Sequence, residues 1–275
     1  MHNFAYFGTP EVASDTLAIL IARGFVPTVV VTSPDAPQGR GLTLTPSPLK
    51  VEALKHNLQV LTPEKLDPDT VAAIAAIGCE YAIVVAYGKI FPETLIASFP
   101  KGVLNIHYSL LPKYRGAAPL EAALLAGDSV TGVTIQKMVY ELDAGDILVQ
   151  KETVIEPEET ARELRPRLIT MGAELLADVL PAFERNEVIL TPQDATLASR
   201  APKFHKEAGL LSLEDPAEKN WYTYRAYADT IGTYFFENEK RVKITKASFQ
   251  NDCFVIARVI PEGKREMAYR GNLSH

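Results

Sequence analysis

Three polar residues of this 275-residue chain have the types and the spacing to transfer an acyl group to an amine. Asn105 and His107 lie two positions apart at the end of the apolar segment GVLNIH, and Asp143 follows in YELDAGDIL. Side chains at i and i+2 of a strand point the same way, so Asn105 and His107 can face one crevice. A histidine can take the proton of an attacking amine, and an asparagine amide can donate to a developing oxyanion. An aspartate paired with the histidine would fix its tautomer.

Each of these residues also has a structural interpretation. A histidine at a strand end is commonly a satisfied structural residue, and Asp-Ala-Gly is favourable turn chemistry that would leave Asp143 on a solvated turn. Asn105 favours the functional interpretation, because an amide in a mainly apolar strand needs partners that a cleft or ligand provides. No Ser or Cys lies in a nucleophile-elbow motif. Direct transfer is therefore favoured over a covalent intermediate.

The segments around these residues predict how they are positioned. Short apolar segments alternate with helical ones as far as GVLNIH, which is typical of a parallel, doubly wound α/β sheet. Ligands of such sheets bind beyond the carboxyl ends of the strands, where Asn105 and His107 lie. TGVTIQKMV and DILVQKETVI then predict a hairpin-like pair at the sheet edge. The first turn, GTPEVA, has a single glycine, and no P-loop is present, so neither NAD nor ATP binding is indicated.

The end of the chain has a different character. Residues 188–205 have little periodicity and predict a linker, and the short strands after them predict a small β-rich domain. From Lys219 to His275 there are 10 Lys and Arg against 6 Asp and Glu, a net charge of +4 in a chain whose total is −6. The negative total argues weakly against a nucleic-acid binder. The basic end is either surface scatter or a module that meets a polyanion.

The overall composition is that of a soluble globular protein, with 47% hydrophobic and 23% charged residues. No apolar segment approaches the roughly 18 residues that span a membrane, and the N-terminus lacks the pattern of a signal peptide. Cys79 and Cys253 are too few and too far apart for a disulfide framework or a metal site. We therefore expect a cytoplasmic protein with no membrane contact and no metal, and a monomer as the default state.

Two stretches carry a family resemblance. NIHYSLLPKYRGAAP (105–119), followed by TGVTIQKMVYELDAGDIL (131–148), resembles the signature of the folate-dependent formyltransferases. These enzymes move a formyl group from 10-formyltetrahydrofolate to an amine. The resemblance implies a Rossmann-like α/β catalytic domain with a mostly parallel sheet over residues 1–187, in which Asn105, His107 and Asp143 are catalytic.

Other stretches are similar to the branch of that family that acts on methionyl-tRNA. They are FGTPEVA, VTSPDAPQGRGLTLTPSPLK, VVAYGKIFP and ASRAPKFHKEAG. This similarity implies that the acceptor is the α-amino group of initiator methionyl-tRNA. The alternatives are a formyltransferase that acts on an amino-sugar nucleotide, and a catalytically inactive folate- or RNA-binding relative.

The resemblance also implies binding residues. The implied folate pocket consists of Val85, Ala86, Tyr87, Gly88, Ser109, Leu110, Leu111, Pro112, Tyr140 and Leu142. Plain core packing is an alternative for Leu110. The implied tRNA contacts are Arg40, Lys50 and Arg115, and both Lys113 and Arg115 could meet either substrate phosphate or solvent.

This chain departs from the family pattern in two places. Leu42 and Thr43 stand where the family segment usually has lysines, which shifts the expected tRNA contacts towards Lys50 and the C-terminal domain. YADTIGTYF replaces an aromatic-proline cluster, and the region that follows is shorter than the family's barrel. We therefore expect a shortened OB-like β-barrel domain over residues 206–275.

Overall fold

The computed structural model describes residues 2–39 and 42–271. Its strands are β1 (Phe4–Gly8), β2 (Val29–Val31), β3 (Ala36–Gln38), β4 (Thr43–Thr45), β5 (Val60–Leu61), β6 (Tyr81–Val85), β7 (Val103–His107), β8 (Arg115–Gly116), β9 (Val130–Lys137), β10 (Ile147–Val154), β11 (Arg200–Ala201), β12 (Thr233–Glu237), β13 (Lys240–Gln250), β14 (Cys253–Pro261) and β15 (Met267–Ala268). Its α-helices are α1 (Glu11–Ala22), α2 (Pro48–Lys55), α3 (Pro68–Ala75), α4 (Glu93–Ala97), α5 (Pro119–Leu125), α6 (Ala161–Glu184) and α7 (Ala217–Tyr227). Short 3₁₀ helices cover Ala195–Leu197 and Lys206–Gly209.

Seven strands form one sheet in the order β10-β9-β7-β6-β1-β2-β5. The five strands β7, β6, β1, β2 and β5 are parallel to one another. On the other side of β7, β9 runs antiparallel to it. Every residue of β1, β2 and β6 is buried, as expected for a parallel sheet with both faces covered. The prediction of a mostly parallel Rossmann-like sheet is confirmed.

An aromatic cluster packs at the carboxyl ends of β1 and β6. The Phe7 ring centroid lies 5.5 Å from that of Tyr87, 4.9 Å from that of Phe91 and 6.2 Å from that of Phe99. All four side chains are buried, and edge-to-face packing of this kind is favourable beyond simple burial. The cluster fixes the segment after β6, which borders the edge of the sheet where ligands bind in this class of fold.

The contacts divide the chain into two compact units. The first comprises Met1–Arg115, Gly132–Lys151 and Leu168–Ala198, and the second comprises Gly116–Thr131, Glu152–Arg167 and Ser199–His275. The sequence analysis expected a catalytic domain that ends at residue 187 and a linker that ends at residue 205. These domain boundaries stay a prediction. Within the described ranges, no helix combines the length and the apolar character needed to cross a bilayer.

The second unit contains an antiparallel sheet of four strands in the order β12-β13-β14-β15. One face of the sheet packs on α7 through a core that includes Trp221, Phe235, Val242 and Val259. The prediction of a small β-rich C-terminal part is confirmed. The buried guanidinium of Arg225 also donates to the carbonyls of Glu159 and Glu156, at 2.8 and 2.9 Å. These bonds tie α7 to the segment that precedes α6.

A capping box begins α6. The backbone N–H of Thr160 donates to Glu163 Oε2 at 2.9 Å, and the Thr160 hydroxyl donates to the same oxygen at 3.0 Å. Thr-x-x-Glu is the sequence pattern of this motif, in which the glutamate at the third helical position reaches back to the cap. The two donors hold the pKa of Glu163 below its usual range.

We expect Glu163→Ala to lower the free energy of unfolding by about 0.5–1 kcal/mol at pH 7. The native pKa of Glu163 lies below its unfolded value of about 4.3, so its contribution is complete above that value and is lost as the pH falls through the native pKa. Urea unfolding at pH 7 and pH 3 measures the difference. Glu163→Gln keeps an acceptor for Thr160 and is the control. An equal loss for the alanine variant at both pH values would contradict this assignment.

Candidate active site

Asn105 and His107 are the third and fifth residues of β7. The pairing of β7 with β9 sets Asn105 opposite Gln136 and His107 opposite Thr134. Gln136 and Thr134 are buried, and so is His107. The antiparallel strand β9 therefore contributes two polar side chains beside the two that the sequence predicted.

Asp143 comes from the loop between β9 and β10. Its Oδ1 accepts from Gln136 Nε2 at 2.8 Å and from Asn105 Nδ2 at 3.5 Å. Its Oδ2 lies 3.6 Å from His107 Nδ1. The structure thus brings Asn105, His107 and Asp143 together, and it adds Gln136 as the closer donor to the carboxylate.

The tautomer of His107 follows from a backbone contact. His107 Nε2 lies 2.9 Å from the carbonyl oxygen of Tyr114, and a carbonyl can only accept, so Nε2 carries the hydrogen. In the neutral ring Nδ1 is then the nitrogen with the lone pair, and it faces Asp143. Tyr114, rather than Asp143, fixes the tautomer of the neutral ring. A proton that arrives at Nδ1 is met by the carboxylate.

The turn Ser109–Pro112 is held by hydrogen bonds to β9 and β10. Thr134 Oγ1 donates to the Ser109 carbonyl at 2.7 Å and accepts from the Leu111 N–H at 3.1 Å. Gln150 Nε2 donates to the Leu111 carbonyl at 2.8 Å. The Ser109 hydroxyl donates within the turn, to the Lys113 carbonyl at 2.7 Å. Leu111 is buried, Leu110 and Pro112 are half-buried, and Lys113 is exposed.

The segment Val85–Gly88 alternates between buried and exposed residues. Val85 and Tyr87 are buried, whereas Ala86 and Gly88 are exposed with positive φ angles of 47° and 78°. Burial raises the pKa of Tyr87 to about 12. The Tyr87 hydroxyl and Gln136 Oε1 are both buried, and neither has a hydrogen-bond partner in the part of the chain that the structure describes.

An open cleft of about 740 Å³ borders the Asp143 loop. Tyr140 lines it from that loop, and the other lining residues are the apolar Leu66, Ile90 and Pro92 and the polar Lys65, Asp67, Glu93 and Thr94. Tyr140 and Leu142 expose 63% and 59% of their surface. Polar and apolar residues line the cleft about equally, and its volume is within the range of small-molecule sites.

The residues expected to contact tRNA have different environments. Arg40 lies outside the described residues. Lys50 Nζ pairs with Asp35 Oδ1 at 2.7 Å, and both side chains are partly exposed. Arg115 is only 6% exposed, and its guanidinium donates to Gln193 Oε1. In addition, no group of three or more metal-ligating side chains occurs among the residues described here.

Known proteins match this chain both as a family and as individual relatives. The family model described as Formyl transferase matches residues 3–180. The methionyl-tRNA formyltransferase of Carboxydothermus hydrogenoformans is 42% identical over 89% of this chain and 79% of its own length. That of Geobacter metallireducens is 37% identical over 95% of this chain and 85% of its own.

Solved structures share the fold at lower identity. Methionyl-tRNA formyltransferase from Clostridium thermocellum has a TM-score of 0.64 and 15% identity, over 95% of this chain and 99% of that one. The N-formyltransferase of Helicobacter canadensis, solved with folinic acid and dTDP-3-aminofucose, has a TM-score of 0.69 and 19% identity over 91% and 89%. At these identities the likeness establishes the architecture alone.

Proposed function

This chain belongs to the formyl transferase family, and on that premise we propose that it formylates the α-amino group of initiator methionyl-tRNA in the cytoplasm. The formyl donor in this proposal is 10-formyltetrahydrofolate. The observation that carries the chemistry is the convergence of Asn105 and His107 with the Asp143 carboxylate. The choice of acceptor rests on the methionyl-tRNA formyltransferases that share about 40% of the sequence over most of the chain.

His107 is the general base. Its Nε2–H is committed to the Tyr114 carbonyl, so Nδ1 takes the proton as the amine nitrogen bonds to the formyl carbon. The amine of an aminoacyl ester is less basic than a free α-amine, whose pKa is about 7.7–8.0, and a modest base suffices. The carboxylate of Asp143 then faces the imidazolium and stabilises its charge.

Asn105 stabilises the oxygen of the formyl group. An amide nitrogen carries two hydrogens, so Asn105 Nδ2 can donate one to Asp143 and the other to the oxyanion that develops during attack. The bond between the formyl carbon and the donor nitrogen then breaks, and that nitrogen takes the proton that His107 Nδ1 accepted from the amine. When bound, the folate supplies the formyl group on this nitrogen, and the protein supplies the base and the oxyanion donor.

The residues present fit a folate. The cleft beside Tyr140 is large enough for a drug-sized ligand, and exposed backbone at Ala86 and Gly88 can meet the polar edge of a pterin. A polar ligand can also satisfy the buried Tyr87 hydroxyl and Gln136 Oε1, since buried polar atoms normally have partners. The turn Ser109–Pro112, with Leu142, completes the proposed pocket.

A basic face of the second unit with one exposed aromatic ring supports tRNA as acceptor. In the β12–β13 register Phe236 is opposite Arg241 and Tyr234 is opposite Lys243, while the alternate residues face the core. Arg241 Cζ lies 3.9 Å from the centroid of the buried Tyr234 ring, and Phe236 is 57% exposed. Cations beside an exposed aromatic ring suit nucleic acid. Arg40 and Lys50 are further proposed contacts. For Arg115, which is buried and donates to Gln193 Oε1, we propose a role at Gln193 instead.

The acceptor is tested by a direct assay. We expect the protein to formylate charged initiator tRNA when 10-formyltetrahydrofolate is present, with product detected after mild hydrolysis of the aminoacyl ester. Amino-sugar nucleotides at the same concentrations should not be turned over. Turnover of the amino sugar with none of the tRNA would replace this function by the sugar reaction. No turnover of either would favour an inactive binding relative.

His107→Ala should lower kcat by about 100- to 10,000-fold, because the proton of the attacking amine loses its acceptor. The KM for the folate should change little, since His107 acts on the amine. His56→Ala is the matched control, because His56 is an exposed histidine whose Nε2 lies 3.1 Å from Glu52. Unchanged turnover in the His107 variant would refute the proposed base.

The double variant Arg241→Gln, Lys243→Gln should raise the KM for tRNA. The slope of log KM against log salt should fall by about one to two, one for each phosphate that the protein no longer neutralises. The KM for the folate should not change. Lys219→Gln is the control, because this lysine belongs to the same unit and pairs with Asp215 at 2.9 Å. An equal rise in the KM for tRNA in the double variant and in Lys219→Gln would count against a specific role for this face.

A further inference from the structure

The loop that carries Asp143 needs support from outside itself. Asp143 has a φ of +52°, a left-handed conformation that aspartate adopts more readily than most residues but still at a cost. The preceding residues, from Val139 to Leu142, are exposed and offer little packing. The position of the carboxylate therefore depends on the bonds made by the backbone of Asp143 and its neighbours.

One side-chain amide supplies two of those bonds. Gln193 Nε2 donates to the Asp143 carbonyl at 2.9 Å and to the Gly145 carbonyl at 2.7 Å. The segment that carries Gln193 is itself fixed, because Ile147 and Thr191 exchange two backbone hydrogen bonds of 2.8 and 2.9 Å. A segment that the sequence predicted to be a linker is thus anchored on the catalytic loop.

Arg115 orients that amide. Its Nε and Nη2 both donate to Gln193 Oε1, at 3.0 and 2.8 Å. A guanidinium has no acceptor, so only the oxygen of the amide can face it, and the NH₂ group must face the loop. Nη1 of Arg115 lies 3.7 Å from Glu141 Oε1, on the same loop. A buried arginine in this arrangement determines which way Gln193 points.

The residue before Arg115 holds His107. The carbonyl of Tyr114 accepts from His107 Nε2, and Arg115 is the next residue. Tyr114 therefore sets the histidine, while Arg115 sets the aspartate through Gln193. We propose that Gln193 is a positioning residue for formyl transfer, which holds the Asp143 loop at the distance from His107 that proton transfer requires. This role rests on the proposed function, and it gives the buried Arg115 a task apart from tRNA.

Gln193→Glu tests the donor half of the amide. The carboxylate keeps an acceptor for Arg115, but it turns an oxygen towards two carbonyls that need a donor. We expect kcat to fall about 10- to 100-fold, as for a small misplacement of a catalytic group. The KM for folate and for tRNA should stay within about twofold, because Gln193 is not among the residues proposed to contact either ligand. Unchanged kcat would overturn the proposal.

The control is the neighbouring residue. The Asp194 carboxylate accepts from the Thr196 N–H at 2.9 Å and caps the 3₁₀ helix that follows. Asp194→Ala disturbs the same segment without touching the Asp143 loop, so it should leave kcat unchanged. An equal fall in kcat for Asp194→Ala would show that the segment matters only for local stability, and it would overturn the role of Gln193.

A double-mutant cycle separates positioning from general damage. If Gln193 acts through Asp143, then Gln193→Glu should lower kcat in the wild-type chain but not further in Asp143→Asn. Losses that multiply in the double variant would overturn the proposal. Should the glutamate variant not fold, Gln193→Met provides the same cycle with a neutral side chain of similar length.

Hydrogen exchange tests whether Gln193 holds the Asp143 loop, and this test does not depend on which amine is the substrate. Amides in residues 139–146 should exchange about tenfold faster in Gln193→Glu, and at the wild-type rate in Asp194→Ala. If the wild-type chain fails to formylate methionyl-tRNA, the proposed function fails, and this measurement still decides whether Gln193 holds the loop. Unchanged exchange in the Gln193 variant would show that it does not.

Discussion

A carboxylate 3.6 Å from the lone-pair nitrogen of a buried histidine must be held in place by other groups. While the imidazole is neutral, His107 Nδ1 and Asp143 Oδ2 are both acceptors, so no hydrogen bond between them holds the carboxylate in place. Gln136 holds the carboxylate by a 2.8 Å bond to Oδ1, and Gln193 holds the backbone of the same residue. β7, β9 and the segment after α6 each supply a donor to Asp143, namely Asn105, Gln136 and Gln193.

The architecture of the sheet supplies the first of these donors. The carboxyl end of parallel β7 presents Asn105 and His107, and the antiparallel β9 returns along it with Gln136 opposite Asn105. A shift of one residue in this register would turn Gln136 to the other face and bring an apolar or cationic neighbour to Asp143. The mixed sheet therefore lets residues far apart in the chain meet at one point.

The sequence predicts some of this arrangement for clear physical reasons. The alternation of apolar and helical segments indicates the parallel sheet, and the i, i+2 spacing puts Asn105 and His107 on one face. Gln136 could not be identified in this way, because its role depends on the register of β9 against β7. Gln193 lies 50 residues from Asp143, in a segment without periodicity. The sequence analysis expected Arg115 to meet either substrate phosphate or solvent, and only its partners in the fold explain its burial.

Protonation changes the character of the His107–Asp143 contact. Before transfer, a lone pair and a carboxylate face each other beyond hydrogen-bonding distance. After transfer, an N–H faces the same carboxylate, and a charged hydrogen bond can form. The Tyr114 carbonyl keeps Nε2–H occupied in both states, so the arriving proton has one place to go. Because the dipoles that meet it are already oriented by Gln136, Gln193 and Tyr114, little reorganisation is required at the moment of reaction, which is the condition under which such groups lower a barrier most.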